Sequence, residues 1–366
     1  LLDARLAYTL LRVCGQPKVR YLCSVLPPHI MKPLYPEIDA HTANAFQAIT
    51  GIPSNCASIF APDGAALVRF VTEGPLIYER ARLSHPPESS GNVPSTHVDS
   101  ASTPACASTN HLDSTLPLTL AHSLSATGNH AATWMLYAES DVAPLSSEDF
   151  RWAQLLRNGV FPTNVKHCVC GHDLSGHSGL CNIAHVFSCK DIQSTRGYTL
   201  RHNCVVSALV NWITTTLGEV TREPTQFGGL DGSLTRPDFV VHSPRTSAVA
   251  DVTIVNNLCP SHLSDPHPAA TAARQKDGKH WENVDKEGSF KFFPIAMEMS
   301  GRCDVGFDAF LKLLGMEFRN ILTDRELRRQ GCFVLSTALQ RGNARMFKDA
   351  ITAIKGQASF GSPNFC

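Results

Sequence analysis

Between positions 167 and 189 the chain reads HCVCGHDLSGHSGLCNIAHVFSC, which holds four cysteines (Cys168, Cys170, Cys181, Cys189) and four histidines (His167, His172, His177, His185). Thiolate and imidazole are the ligands that zinc prefers, and four of them closing on one ion dictate the local fold. The start of the chain, LLDARLAYTLLRVCG, has no initiator Met, no basic n-region and no small-residue cleavage pattern. That predicts a non-secreted polypeptide that is part of something longer. In such a setting a tight Cys/His cluster points to a reduced metal site and not to a disulfide framework. Cys168-Val-Cys170-Gly supplies a tight ligand turn, and His185 and Cys189 are spaced to share one face of a helical turn. Cys168, Cys170, His185 and Cys189 are therefore the first choice of Zn²⁺ ligands, with His177 and Cys181 as the substitute pair. Four available protein ligands favour a closed structural zinc over a catalytic one, which keeps a position open for water. The remaining nine of the thirteen cysteines stand singly, often among apolar neighbours, and read as buried thiols.

Around this cluster the pattern changes several times. Residues 1–15 have a helical apolar period (Leu2, Leu6, Tyr8, Leu10, Leu11, Val13) that stops at Gly15-Gln16-Pro17. A second helical segment runs over 36–50 and a third apolar segment over 64–82, so 1–83 is expected to be a helical module. Residues 84–130 are rich in Ser, Thr and Pro and carry no Lys or Arg, which predicts a disordered linker. SSEDFRWAQLLR, with a capping signature at Ser146/Ser147, opens a helix that leads into the zinc knuckle of 131–198. From 199 to 323 the expected order is helix (199–218), strands (RPDFVVH and 248–257), helix (267–288), strand (290–299) and helix (307–322). This is an α/β unit with a mixed sheet, followed by C-terminal helices and a tail over 324–366. No apolar run reaches the ~18–20 residues of a membrane span. Lys+Arg and Asp+Glu balance at 32 each, which excludes a uniformly basic nucleic-acid binder.

Two acids in the α/β unit stand out. Asp238 follows Pro237 at the entry to one strand, and Asp251 sits inside the apolar strand AVADVTIV. An aspartate there is costly to bury unless it is paired or binds a cation. A hairpin turning at PRTS (244–247) would bring both carboxylates to one end of the sheet. That is a hard oxygen site suited to Mg²⁺ or Mn²⁺. Lys276 and Lys279 share a face of the following helix and are candidates to orient a nucleophile or stabilise developing negative charge. The plainer alternative is that Asp238 caps a turn and the lysines are solvated.

The string CVCG…HVFSC, RHN (201–203), RPD (236–238), ADVTIV (250–255) and KDGKHW (276–281) resembles the C-terminal region of site-specific non-LTR retrotransposon proteins. The resemblance covers roughly 132–350, and more weakly 1–60 is similar to the segment after a reverse transcriptase palm. It implies a PD-(D/E)xK restriction-enzyme-like endonuclease core preceded by a CCHC zinc knuckle, nicking double-stranded target DNA to prime reverse transcription of element RNA in the nucleus. Carried over, Asp238 and Asp251 match the metal-binding acids and Lys276 the preferred catalytic lysine, with Lys279 as the alternative. Arg201, His202 and Glu223 match supporting positions. Thr253 stands where the general nuclease pattern has its lysine, and His280 or Trp281 where many members have tyrosine. No aromatic-x-Asp-Asp sequence occurs, so the polymerase active site is not in this polypeptide. The competing expectation is a zinc-dependent nucleic-acid-binding module that cuts nothing. Its contacts to phosphates would come from Arg319, Arg325, Arg328, Arg329, Arg341, Arg345 and Lys348.

Overall fold

The computed structural model describes residues 7–8, 10–11, 35–50, 118, 121–122, 125–126, 128, 130–135 and 144–359, the last range without 163–165, 176, 225–226, 228–235 and 285–288. The expected apolar segment 64–82 and most of the Ser/Thr/Pro-rich stretch lie outside these residues. The chain divides into two compact units, one chiefly Leu6–Pro117 and the other chiefly Leu118–Cys366. In the first, helix α1 (Tyr35–Thr50) buries Phe46, against which the ring of Tyr8 packs edge-on at 6.4 Å.

The second unit is mixed α/β. Its elements are α2 (Ser147–Arg157), α3 (Gly179–Ser188), α4 (Lys190–Thr216), β1 (Val220–Arg222), β2 (Phe239–Val241), β3 (Ser247–Val255), α5 (Pro268–Val284), β4 (Phe290–Glu298), α6 (Val305–Glu317) and α7 (Asp324–Ser359). The sheet order is β1-β2-β3-β4. The first three strands are antiparallel, and β4 runs parallel to β3 from Ser247↔Phe290 to Val255↔Glu298. A parallel pair needs a crossover, and α5 provides it.

Side chains alternate across a strand, so β3 and β4 sort their residues onto two faces. Ala248, Ala250 and Val252 with Phe293, Ile295 and Met297 join the main core, which Val205, Leu209 and Ile213 of α4, Phe307, Phe310 and Leu314 of α6 and Leu335 and Leu339 of α7 complete. On the opposite face Val240, Val249 and Phe292 pack with Phe227, and Ala296 meets Ala269 and Ala273 of α5. Alanines at that contact let α5 lie close to the sheet, over the face that carries Asp251.

Two expectations need correction. The composition of 84–130 predicts a disordered linker, yet residues 118, 121–122 and 125–126 are helical and largely buried. Arg157 stitches them down by donating to the carbonyls of Ala126 (2.7 Å) and Ala131 (3.0 Å), contacts that local composition cannot foretell. The helix expected from 199 begins at Lys190, immediately after Cys189. Its polar first turns hide it from periodicity, and packing on α3 and α7 supplies what propensity lacks.

Candidate metal centre and carboxylate site

The knuckle begins with a tight hairpin. Leu174 N–H donates to Lys166 O (2.6 Å), Cys168 N–H to His172 O (2.8 Å) and Gly171 N–H to Cys168 O (2.9 Å). Gly171 has φ +84°, a left-handed turn conformation that suits glycine and lets Cys168 and Cys170 face one point. Ser178 caps α3 by accepting from Cys181 N–H, and α3 then presents His185 and ends at Cys189.

The ligand atoms of Cys168, Cys170, His185 and Cys189 all lie within 4.8 Å of one another. The Sγ atoms of Cys168 and Cys189 are 3.8 Å apart, and Cys170 Sγ is 3.4 Å from His185 Nε2. A tetrahedron with Zn–S near 2.3 Å and Zn–N near 2.0 Å has edges of about 3.8 Å for S···S and about 3.5 Å for S···N. The cluster fits zinc on that measure, and its thiols are far beyond the ~2.05 Å of a disulfide. Burial pushes the Cys168 thiol up to about 12, while burial and the neighbouring His172 hold the His185 imidazole below its usual range. His185 is thus kept neutral, the form that ligates.

The substitute pair stands outside the cluster. Cys181 takes a hydrogen bond from the Ser178 hydroxyl (3.2 Å), and the His177 ring stacks 5.8 Å from that of His172. His172 itself was not among the expected site residues. Its ring stacks on His185 at 4.0 Å and 15°, fixing the orientation of a ligand.

The two aspartates occupy facing strands. Phe239 pairs with Ala250, and Asp238 N–H donates to Ala250 O (3.0 Å), so the register sets Asp238 opposite Asp251. Strand β2 begins at Phe239, so among the described residues β3 has no strand partner on that side beyond Ala250. The Asp238 carboxylate takes over, accepting from Val252 N–H at 2.6 Å, and His202 Nε2 lies 3.2 Å from the same oxygen and 3.1 Å from Val252 O. Chiefly through the hydrogen bond to Asp238, the His202 pKa is raised.

Asp251 is 4% exposed, and Lys276 from α5 reaches both its oxygens, at 3.0 and 3.2 Å. Thr253 Oγ1, two residues on along β3, is buried without a hydrogen-bond partner among the described residues. Lys279 belongs to α5, and its side chain lies outside the described residues. Glu223 comes near through its backbone, whose N–H donates to Asp238 O (2.9 Å), but its exposed side chain bonds to neither aspartate. Arg201 turns away from the carboxylates altogether and donates to Asn343 of α7 (3.2 Å).

Of the basic residues expected to contact phosphates, three make contacts within the unit. Arg341 donates to Pro144 O, Lys348 pairs with Glu148, and Arg328 lies 3.6 Å from Asp308. Arg319, Arg325, Arg329 and Arg345 are exposed. No known family model matches the chain, and no curated protein does either.

Proposed function

We propose that the chain is the endonuclease portion of a non-LTR retrotransposon protein, with a PD-(D/E)xK core and a structural zinc knuckle. The observation that carries this reading is the meeting of Lys276 with buried Asp251 on the inner strand β3, where the register sets it opposite Asp238 at the start of β2. Order supports it too, since α4, three antiparallel strands, crossover α5 and parallel β4 follow one another in the helix, strands, helix, strand order that the sequence pattern predicts. Asp238 and Asp251, opposite one another in register, would offer carboxylate oxygens, the donors that suit Mg²⁺ or Mn²⁺. When bound, the cation lowers the pKa of water and neutralises charge on the phosphate.

The chain's own residues do the rest. Asp238 and Asp251 hold oxygen donors at fixed positions, and His202 keeps Asp238 in place. Lys276 offers a positive charge to the nucleophilic water or to the phosphate. Water adds to phosphorus and the bond to the 3′ oxygen breaks, leaving a 5′-phosphate and a 3′-hydroxyl. In the parent protein that hydroxyl would prime copying of element RNA on nuclear double-stranded DNA. A plasmid-nicking assay with Mg²⁺ tests this, wild type beside Asp251→Ala. Loss of nicking in the variant is expected, and equal nicking by both proteins overturns the assignment.

A second reading is a zinc-dependent nucleic-acid-binding module. It is favoured by the way Lys276, His202 and Val252 N–H engage both carboxylates from within the fold. Salt-dependent DNA binding with no Mg²⁺-dependent cleavage would select it.

A further inference from the structure

We infer that the cleft between α4 and α7 is a binding site for a phosphate-bearing ligand of nucleotide size, held by Arg201 and Arg345. The cleft encloses about 420 Å³ and is lined by Arg201, Cys204, Arg345 and Asp349, with apolar walls from Leu200 and Met346. That volume lies in the ~300–1,000 Å³ range of small-molecule sites. The proposal does not depend on the nuclease reading. Arg201 and His202 are consecutive on α4 and so point about 100° apart, one toward α7 and the other toward the sheet.

Arg201 carries the argument. It is 3% exposed, yet among the described residues no carboxylate forms an ion pair with it. Its Nη1 donates to a neutral amide, Asn343, its Nε is buried without a partner, and its Cζ lies 5.8 Å from the ring centre of Tyr198. A guanidinium withdrawn from water without a counter-charge is costly. The fold makes room for it all the same: a Cβ on Gly342 would come within 2.9 Å of Arg201 Cγ. An anion in the cleft would supply the missing charge. The lining holds two cations, Arg201 and Arg345, against one acid, Asp349. Two cations to one acid favour an anionic ligand, and guanidinium forks match phosphate geometry. The apolar walls suit the sugar or base that such a phosphate carries.

Cys204 is half-buried in the cleft and serves as a reporter. The zinc-loaded full chain is alkylated with N-ethylmaleimide, and modification of Cys204 is followed by peptide mass mapping. The probes are adenosine monophosphate, adenosine and a short single strand without terminal phosphate. Adenosine monophosphate or the strand, at about four times its Kd, should slow alkylation about five-fold, and adenosine at the same concentration should not. Arg345→Gln, at an exposed position that leaves the fold intact, should abolish the protection. Protection by the nucleotide alone identifies a free nucleotide, and protection by the strand a nucleic acid. The inference is overturned if neither protects, if adenosine protects as well as its monophosphate, or if Arg345→Gln is protected like wild type.

Discussion

Lys276 Nζ sits 3.0 and 3.2 Å from the two oxygens of Asp251, so a helix from one side of the sheet neutralises a buried carboxylate on its central strand. The two groups are unequal in access to water, with side chains 6% exposed for Asp251 and 32% for Lys276. Removing the lysine takes away the cation that bonds both oxygens of a buried carboxylate, whereas removing the acid frees a lysine that can turn to solvent.

Lys276→Met is therefore expected to destabilise the fold by about 1–3 kcal/mol, and Asp251→Asn by clearly less. Urea midpoints at pH 7 measure both. Mg²⁺ should raise the midpoint of Lys276→Met more than that of wild type, because it can replace the lost charge at Asp251. An ion that raises neither would count against a cation at the carboxylates.

Asp238 continues the pairing of β3 past the start of β2, where its carboxylate oxygen accepts from Val252 N–H at 2.6 Å. Asp238→Ala leaves that N–H unsatisfied and should cost about 1–3 kcal/mol, while Asp238→Asn keeps an acceptor and should cost less. The Asp238 bond raises the pKa of His202, so the folded state binds its proton more tightly than the unfolded chain. The resulting stabilisation is full below the unfolded value of about 6.5 and is lost as pH rises through the folded value. An NMR titration of His202 should show a raised midpoint in wild type and a lower one in Asp238→Asn.

The zinc set makes a sharper distinction. Mass spectrometry under native conditions should find one zinc per chain, retained by Cys181→Ser and lost in Cys189→Ser. Cys189 joins α3 to α4 and is buried in the same cluster as Ile183, Phe187 and Phe347. Metal loss should accordingly loosen that cluster, visible as faster amide exchange across α3 while β3 and β4 stay protected. Binding must displace protons from thiols such as Cys168, so zinc affinity should fall as pH falls.

What could be read in advance follows a physical divide. Asp251 announced itself as an acid inside an alternating apolar strand, and the Cys168, Cys170, His185, Cys189 set rested on local spacing; in both cases neighbours in sequence are neighbours in space. Arg201 and His202 could not be assigned to opposite partners, because periodicity separates them around a helix without saying which neighbour lies on which side. His172 left a weak trace, one more histidine in a histidine-rich run, and only the hairpin that folds it back stacks it on His185. The helical residues around His122 left none, since their composition is that of a linker and their burial depends on Arg157 far along the chain.

That last contact gives the clearest pH dependence. His122 Nε2 lies 2.8 Å from Arg157 O, its Nδ1 is buried without a partner, and burial lowers its pKa to about 4. The ring is therefore neutral, donating from Nε2 to the carbonyl. A depressed folded pKa means that the unfolded chain binds the proton first on acidification. The stabilisation is complete above the unfolded value of about 6.5 and drains away as pH falls toward the folded value. Between pH 7 and pH 5.5 this one group should remove about 1 kcal/mol of stability. His122→Gln, which keeps a donor but cannot titrate in this range, should show a flatter decline in urea midpoint over the same interval. An identical slope in variant and wild type would mean that His122 is solvated and that the segment before Gly128 does not pack on Arg157.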